Sequence, residues 1–177
     1  MSIKLSAWLI MIGLLAFLLA GGLWLYNLRA ENMAADYSLD QARLLLEDIR
    51  QGKYLDGSYI GVLSIPDLQL DLPVRREWSY PDLKLTPCRY AGAVEDNTLV
   101  IAAHNFKKHF GNISALKIGS PIKFTALNGS KYTYQVAKIE TVRPTAVTEV
   151  VNSDYDLTLF TCTYGGKTRI VVRCMRA

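Results

Sequence analysis

The chain of 177 residues is long enough for one globular domain and a short additional segment, and half of its residues are hydrophobic, so a core can form. Its 20 basic and 16 acidic residues leave a net charge of only +4. The sequence has no cluster of Lys and Arg interleaved with aromatic residues, which argues against a nucleic-acid-binding protein.

The first predicted element is an apolar segment of 24 uncharged residues, from Leu5 to Leu28. As a helix rising about 1.5 Å per residue it would be roughly 36 Å long, enough to cross the roughly 30 Å of a bilayer core. A cleaved signal peptide, with its cleavage region at residues 18–22, is the alternative. The apolar run exceeds the usual h-region of about 7–15 residues, so we predict a retained anchor at residues 1–30 that contacts membrane lipid through residues 5–28.

The charges that flank this segment predict its orientation. Lys4 and the amino terminus precede it and Arg29 follows it, a small bias toward an inside amino terminus. The prediction is therefore a single-pass protein of the cell membrane whose remaining domain lies on the extracellular face.

The next element is an amphipathic helix between Asp36 and Arg50, within a helix-and-linker region of residues 31–56. A cap at Asp36 or Ser38 would begin it and Gly52 would end it. We expect it to pack on the following domain rather than to bind a partner. The apolar residues that recur at helical spacing are Leu39, Ala42, Leu45, Leu46 and Ile49.

From residue 57 onward the pattern changes to short β-rich runs separated by Pro and Gly. Such regular short strands predict a mainly β domain, either a barrel or a sandwich. One or two helical turns are expected within residues 110–117, and residues 78–88 read as a long irregular loop. The predicted strands are 60–65, 68–72, 98–104, 122–125 and 132–142.

Residues 156–175 predict a hairpin, because runs 157–161 and 168–174 flank Gly165-Gly166. A turn centred on the two glycines would pair Cys162 with Arg169, with Cβ atoms roughly 5 Å apart on one strand face. The guanidinium would favour a thiolate, so Cys162 is the best nucleophile candidate, although a strand-end cysteine can also be merely structural. Arg173 shares this face but pairs nearer Thr158.

A nucleophilic cysteine needs a base, and the chain has two histidines. His104 closes the apolar run 98–104, where loops gather, although a half-buried structural histidine would fit the same position. His109 follows two lysines, and we expect it to be exposed. The sequence therefore selects Cys162, His104 and Arg169 as the candidate catalytic residues.

The remaining cysteines are Cys88 and Cys174. Cys174 lies on the opposite strand face from Arg169 and is predicted to be in the core. Whether Cys88 and Cys174 form a disulfide is left undecided by the sequence. An odd number of cysteines leaves at least one free thiol in an uncrosslinked chain. No metal is expected, because the cysteines and histidines have no ligand spacing such as C-x2-C.

The segment Thr158-Leu-Phe-Thr-Cys162 resembles the TLxTC signature of sortases, the cysteine transpeptidases that attach surface proteins in Gram-positive bacteria. Three further features occur in the order found in sortases. They are a hydrophobic N-terminal segment, a His about sixty residues before the Cys, and an Arg that opens the strand after the Cys. The resemblance runs from about Tyr59 to the end and implies a closed eight-stranded β-barrel with short helices at residues 57–177. The His104-Asn105 pair is similar to class B-like members, and the subclass stays open.

The resemblance also implies a reaction. Cys162 would attack the Thr carbonyl of an LPxTG-like sorting signal, and an amine of a cell wall precursor or a pilin would resolve the thioacyl enzyme without a cofactor. Substrate-binding candidates are Thr161, Thr163, Asn105 and the loop 143–155. A papain-like hydrolase would have its Cys before its His, the reverse of this chain. The non-enzymatic alternative is a membrane-anchored β-barrel binding module with a structural Cys162.

Overall fold

The computed structural model describes residues 3–53 and 57–177, with side chains from residue 7 onward. The chain forms two compact units, Met1–Met33 and Ala34–Ala177. The first helix, α1, runs from Ile3 to Arg50. The later elements are β1 (Tyr59–Ile65), β2 (Leu70–Arg75), α2 (Tyr80–Leu83), β3 (Cys88–Ala91), β4 (Leu99–Ala102), β5 (Pro121–Ala126), β6 (Lys131–Val142), α3 (Val147–Val151), β7 (Leu157–Cys162) and β8 (Arg169–Arg176).

The eight strands close into one barrel in the order β1-β2-β3-β4-β7-β8-β6-β5. The β2–β3 and β4–β7 pairs are parallel, and the other neighbours are antiparallel. A closed barrel has no edge strand, so every strand has a neighbour on both sides. The eight-stranded barrel with short helices is therefore confirmed.

The core fills the barrel interior, because successive side chains along a strand point alternately inward and outward. Cys174 belongs to this interior cluster, as predicted, and all three cysteines are free thiols, so Cys88 and Cys174 do not form a disulfide. The largest completely buried interior side chains include Leu63, Ile65, Leu99, Ile101, Phe124, Tyr134, Leu157 and Leu159.

The apolar part of α1 exposes its large side chains, and among the described residues one helix, α1, is long and apolar enough to cross a membrane. The N-terminal helix of the predicted architecture is thus present. The side chain of Lys4, on which the orientation depends, lies outside the described side chains, so the orientation stays a prediction. The domain boundaries at residues 30 and 56 also stay predictions, and residues 54–56 lie outside the described part.

The predicted start of the amphipathic helix is wrong, because α1 continues without a break through Asp36 and Ser38. Residues 29–35 contain neither Gly nor Pro and favour helix, so nothing stops the first helical segment before the second. Its end is confirmed: α1 ends at Arg50, and Gly52 takes a positive φ of 64°.

The buried stripe of α1 is also shifted from the predicted one. Leu39 is 42% exposed, whereas Ala42 and Leu45 pack with Tyr59 and Val62 as expected. The residues of the stripe, spaced at four, four and three, are Ala34, Ser38, Ala42 and Leu45. The polar residue Ser38, rather than Leu39, therefore belongs to the buried face of the helix.

The predicted irregular loop 78–88 contains a short helix, α2, and the start of a strand, β3, that the pattern did not reveal. The local sequence explains the helix, since Ser79 caps it through the backbone N–H of Asp82 at 3.2 Å and Pro81 occupies its first turn. The helical turn expected within residues 110–117 is confirmed at Ile113–Ala115.

Candidate active site

The hairpin of β7 and β8 pairs Cys162 directly with Arg169, the register that the sequence predicted. The turn between the strands has φ values of 77° at Gly165 and 71° at Gly166, which only glycine adopts without strain. Arg169 donates from Nη1 to the carbonyls of Gly166 at 3.0 Å and Thr168 at 3.1 Å. The turn therefore holds the guanidinium at the strand end where the thiol is exposed.

Parallel pairing of β4 and β7 carries His104 to the same edge of the barrel. Ala102 pairs with Phe160, and the N–H of Ala103 continues the ladder to the Phe160 carbonyl at 3.2 Å. His104 follows Ala102 by two residues, as Cys162 follows Phe160. Since neighbouring strands lie about 4.8 Å apart, continuing this register places His104 alongside Cys162.

A closed loop supports His104 where the chain leaves β4. Its ring stacks on Phe106, with 4.1 Å between the ring centroids and 28° between the planes. The N–H of Phe110 returns to the His104 carbonyl at 3.2 Å, and Phe110 is buried in the core. At Gly111 a Cβ would lie 2.6 Å from the Asn105 carbonyl oxygen, so the loop admits only glycine there.

His109 is buried with no exposed surface, so the prediction that it is solvent-exposed is wrong. The two lysines before it are exposed. The His109 N–H donates to the Phe106 carbonyl at 2.9 Å, and the resulting turn directs the His109 side chain inward. There His109 Nε2 lies 3.0 Å from Ser38 Oγ. Burial of the imidazole, together with the charge of His104, lowers the pKa of His109 to about 4.

An open groove with a volume of about 220 Å³ lies on the outer face of the barrel beside Cys162 and Arg169. Four aromatic side chains form much of its wall, and Tyr90 packs edge-on against Phe160 with centroids 5.1 Å apart. The aromatic residues are Trp78, Tyr80, Tyr90 and Phe160, and the other lining residues are Leu83, Ala102, Arg143, Pro144, Ala146, Val147 and Val150.

The sequence prediction named only part of this groove. The predicted candidate loop 143–155 contributes residues on and before α3 to the lining, whereas the sequence does not predict the aromatic lining residues. Two of them, Trp78 and Tyr80, belong to the stretch 78–88, which the sequence predicts to be an irregular loop. Paired aromatics in a Pro-containing loop were the available signal.

Arg173 fastens α3 to the barrel rather than reaching the groove. It pairs with Thr158 in the hairpin register, as predicted, and is 3% exposed. Its Nη groups donate to the carbonyls of Val150 at 2.9 Å and Glu149 at 2.6 Å, and its Nε to Glu140 at 3.0 Å. The guanidinium therefore fixes the end of the helix whose side chains line the groove.

The three predicted substrate-binding residues lie in different surroundings. Thr161 is 2% exposed and donates its hydroxyl to the Ala103 carbonyl at 2.8 Å, because the strand period points it away from the Cys162 face; its side chain links strands and does not enter the groove. The hydroxyls of Thr163 and Thr168 lie 3.0 Å apart across the hairpin turn. Asn105 is half-buried beside His104.

Comparison with known proteins identifies the family. A family model described as the sortase domain matches residues 63–177 of the chain. The chain belongs to the sortase family. The resemblance carried by the TLxTC segment is thereby confirmed. None of the curated proteins matches the sequence of this sortase.

Solved structures of sortases have the same fold. Sortase C of Streptococcus pneumoniae has a TM-score of 0.61 and 28% identity to this sortase, over 70% of this chain and 68% of that chain. Sortase A from Corynebacterium diphtheriae has a TM-score of 0.59 and 26% identity, over 67% of this chain and 60% of that one. This sortase thus aligns with less than two thirds of the length of sortase A.

A sortase D5 transpeptidase of Clostridium perfringens, at 24% identity and a TM-score of 0.60, covers 81% of this chain and 91% of its own, and shows the fold alone. Similar structures thus include sortases A, C and D, which leaves the subclass of this sortase open. The apolar helix α1 could anchor this sortase in a membrane.

Proposed function

We propose that this sortase is a cysteine transpeptidase that cleaves an LPxTG-like sorting signal through a thioacyl intermediate on Cys162. The acyl group is then transferred to an amine of a cell wall precursor or a pilin. The observation that carries the proposal is the meeting of two registers: the antiparallel hairpin pairs Cys162 with Arg169, and the parallel β4–β7 ladder brings His104 to the same edge.

In the first half-reaction the Cys162 thiolate attacks the Thr carbonyl carbon of the signal, and a C–S bond forms as the carbonyl oxygen becomes an oxyanion. Arg169 donates hydrogen bonds to that oxygen, since the turn carbonyls already orient its guanidinium. His104, as imidazolium, gives its proton to the Gly nitrogen as the C–N bond breaks. The products are a thioacyl enzyme and a free amine.

In the second half-reaction an incoming primary amine attacks the thioester carbonyl. His104, now neutral, accepts the proton of the attacking nitrogen, and the Cys162 thiolate leaves as the new amide forms. Atoms and electrons balance without any further reactant. Water in place of the amine would give the hydrolysed peptide instead.

The groove supports a peptide substrate with apolar residues ahead of the scissile bond. Cys162 and Arg169 line the groove together with its aromatic and aliphatic residues, so a peptide in the groove can reach the thiol. Burial of Leu and Pro side chains against such walls favours binding. Arg169 and the exposed Arg143 give the groove a positive lining that suits an oxyanion and a peptide carbonyl.

We place the catalytic domain on the extracellular face, attached to the membrane by the apolar part of α1. The flanking charges of the anchor and its hydrophobic length support this arrangement. A binding module with a structural Cys162 is the alternative, but an exposed cysteine that lines a groove does not serve the core.

The test is turnover of a Leu-Pro-X-Thr-Gly peptide with triglycine as the amine, followed by mass spectrometry of the products. We expect wild type to form the ligated peptide and Cys162→Ala to form neither ligated nor cleaved peptide, at an unchanged melting temperature. Cys88→Ala, which removes a thiol buried within β3, is the matched control and should remain active. Ligation by Cys162→Ala would overturn the proposal.

A further inference from the structure

Both histidines of the chain lie in one closed loop, residues 104–111, and they have different surroundings. His104 is partly buried at the barrel edge to which the β4–β7 register also brings Cys162, whereas His109 is completely buried. The proposed reaction uses His104 and leaves His109 without a role. A buried imidazole is costly to desolvate, so its contacts indicate what it does.

The contacts of Ser38 determine the hydrogen that His109 carries. Ser38 is 1% exposed, and its hydroxyl donates to the Leu85 carbonyl at 2.7 Å. A hydroxyl has one hydrogen, so Ser38 Oγ can only accept from the His109 ring, 3.0 Å away. His109 therefore carries a hydrogen on Nε2, and burial, which lowers its pKa to about 4, keeps the ring neutral.

Three separate segments thus meet at one hydroxyl group. Ser38 belongs to α1, His109 to the loop that bears His104, and Leu85 follows α2 in the stretch that supplies Trp78 and Tyr80 to the groove. Ser38 accepts one hydrogen bond and donates another, and these link the helix to the loop that bears His104 and to the stretch that supplies Trp78 and Tyr80 to the groove.

The loop transmits the position of His109 to His104 through one aromatic ring. Phe106 contacts the His109 ring with 5.7 Å between centroids, and the same Phe106 ring stacks on His104 with 4.1 Å between centroids. Backbone bonds from His109 and Gly111 converge on the Phe106 carbonyl, both at 2.9 Å. The ring contact and the backbone bond therefore couple the position of Phe106 to that of His109.

Stability alone does not explain a buried Ser–His pair. Replacing both partners of a buried hydrogen bond by apolar groups of similar shape is nearly neutral for stability. What the bond adds is direction, since it fixes the rotation of an imidazole that an apolar side chain would leave unspecified. The residue that benefits from this orientation is His104.

We propose that His109, held by Ser38 of α1, is a positioning residue that sets the orientation of His104 toward Cys162. The inference rests on the proposed role of His104 in acyl transfer. It makes residues 34–50 of the N-terminal helix a support of the active site as well as the continuation of an anchor.

The experiment compares four variants of the full chain in detergent. Ser38→Ala removes the hydroxyl acceptor and leaves the backbone hydrogen bond of Ala34. His109→Leu removes the donor, and His109→Gln keeps an amide N–H near the Nε2 position. Asp40→Ala, on the exposed face of the same helix, is the matched control. The kcat and KM for peptide ligation, the melting temperature and the imidazole proton and nitrogen NMR signals are measured for each.

We expect Ser38→Ala and His109→Leu to lower kcat on the order of tenfold or more with KM within about twofold, as for a misplaced catalytic group. His109→Gln should recover much of that loss, and Asp40→Ala should match wild type. The His104 ring signals, which sense the stacked Phe106 ring, should shift in Ser38→Ala and His109→Leu. Wild-type His109 should show a proton on Nε2.

Two results separate this inference from the proposed function. If wild type ligates peptide but Ser38→Ala and His109→Leu leave kcat and the His104 signals unchanged, the positioning role is wrong and the transpeptidase is retained. The positioning role is also wrong if the variants lose kcat only in step with a loss of melting temperature and His109→Gln does not restore kcat. If wild type does not ligate the peptide but the His104 signals shift in Ser38→Ala and His109→Leu, the orienting contact is supported and the proposed reaction is wrong.

Discussion

Arg173 and Glu140 form an ion pair between β8 and β6, with 3.0 Å between Nε and Oε1 and the Arg173 side chain only 4% exposed. The same guanidinium holds the end of α3 by its carbonyls. We predict that Arg173→Ala lowers the free energy of unfolding by about 3 kcal/mol, the low end for breaking a buried pair, because Lys138 still pairs with Glu140 at 2.6 Å. Urea unfolding followed by circular dichroism measures this, and a loss below about 1 kcal/mol would contradict the network's importance.

Arg169→Ala should lower catalytic activity and change stability little, the opposite of Arg173→Ala. Arg169 pairs with Cys162 and reaches the groove, whereas Arg173 lies four residues farther along β8 under α3. Losing an oxyanion donor costs about 2.7–4 kcal/mol of transition-state stabilisation, so ligation should fall by at least about 10²-fold with little loss of stability. Peptide turnover and melting temperatures of both variants decide it. A larger catalytic loss in folded Arg173→Ala than in Arg169→Ala would show that the wrong arginine is assigned.

The three thiols should react with iodoacetamide at very different rates. Cys162 is exposed, whereas Cys88 and Cys174 are buried. Burial raises the pKa of Cys88 to about 11 and that of Cys174 to about 12, which leaves little thiolate at neutral pH. Peptide mapping of the folded protein should find alkylation at Cys162 alone, and at all three in guanidinium. Equal labelling of Cys88 in the folded protein would be evidence against this core.

His109 predicts a specific dependence of stability on pH. A histidine titrates near 6.5 in the unfolded chain, but burial holds the pKa of His109 at about 4. Between these values the unfolded state binds a proton that the folded state does not, so stability is complete above pH about 6.5 and falls toward pH about 4. The loss amounts to about 3 kcal/mol.

Urea unfolding of wild type and His109→Gln from pH 7 to pH 4 isolates this contribution. The stability advantage of wild type over the variant should shrink by about 3 kcal/mol across that window, since Gln has no proton to gain. An advantage that is constant with pH would mean that His109 is not kept neutral by burial.

The sequence predicted the elements whose signals are local. The Gly165-Gly166 turn set the hairpin register that pairs Cys162 with Arg169, and the period of two assigned Cys174 to the core. The resemblance through the TLxTC segment supplied the number of strands and the closed barrel, which periodicity alone left undecided.

What the sequence did not predict depends on contacts between distant segments. The burial of His109 results from a turn in its loop and from Ser38, which is 71 residues away, so local polarity gave the wrong answer. The place of Thr161 on the inner face could have been read from strand alternation relative to Cys162. The aromatic wall of the groove brings together Trp78 and Phe160 from remote parts of the chain, and no periodicity indicates such a meeting.

The most direct measurement of the central claim is the intact mass of the full chain after brief incubation with a Leu-Pro-X-Thr-Gly peptide and no amine acceptor. We predict an added mass equal to the peptide acyl portion through Thr, located on Cys162 by fragmentation, and its disappearance when triglycine is added as the ligated product forms. The account would be contradicted if folded protein ligates the peptide but carries no adduct on Cys162. An adduct on another residue would contradict it as well.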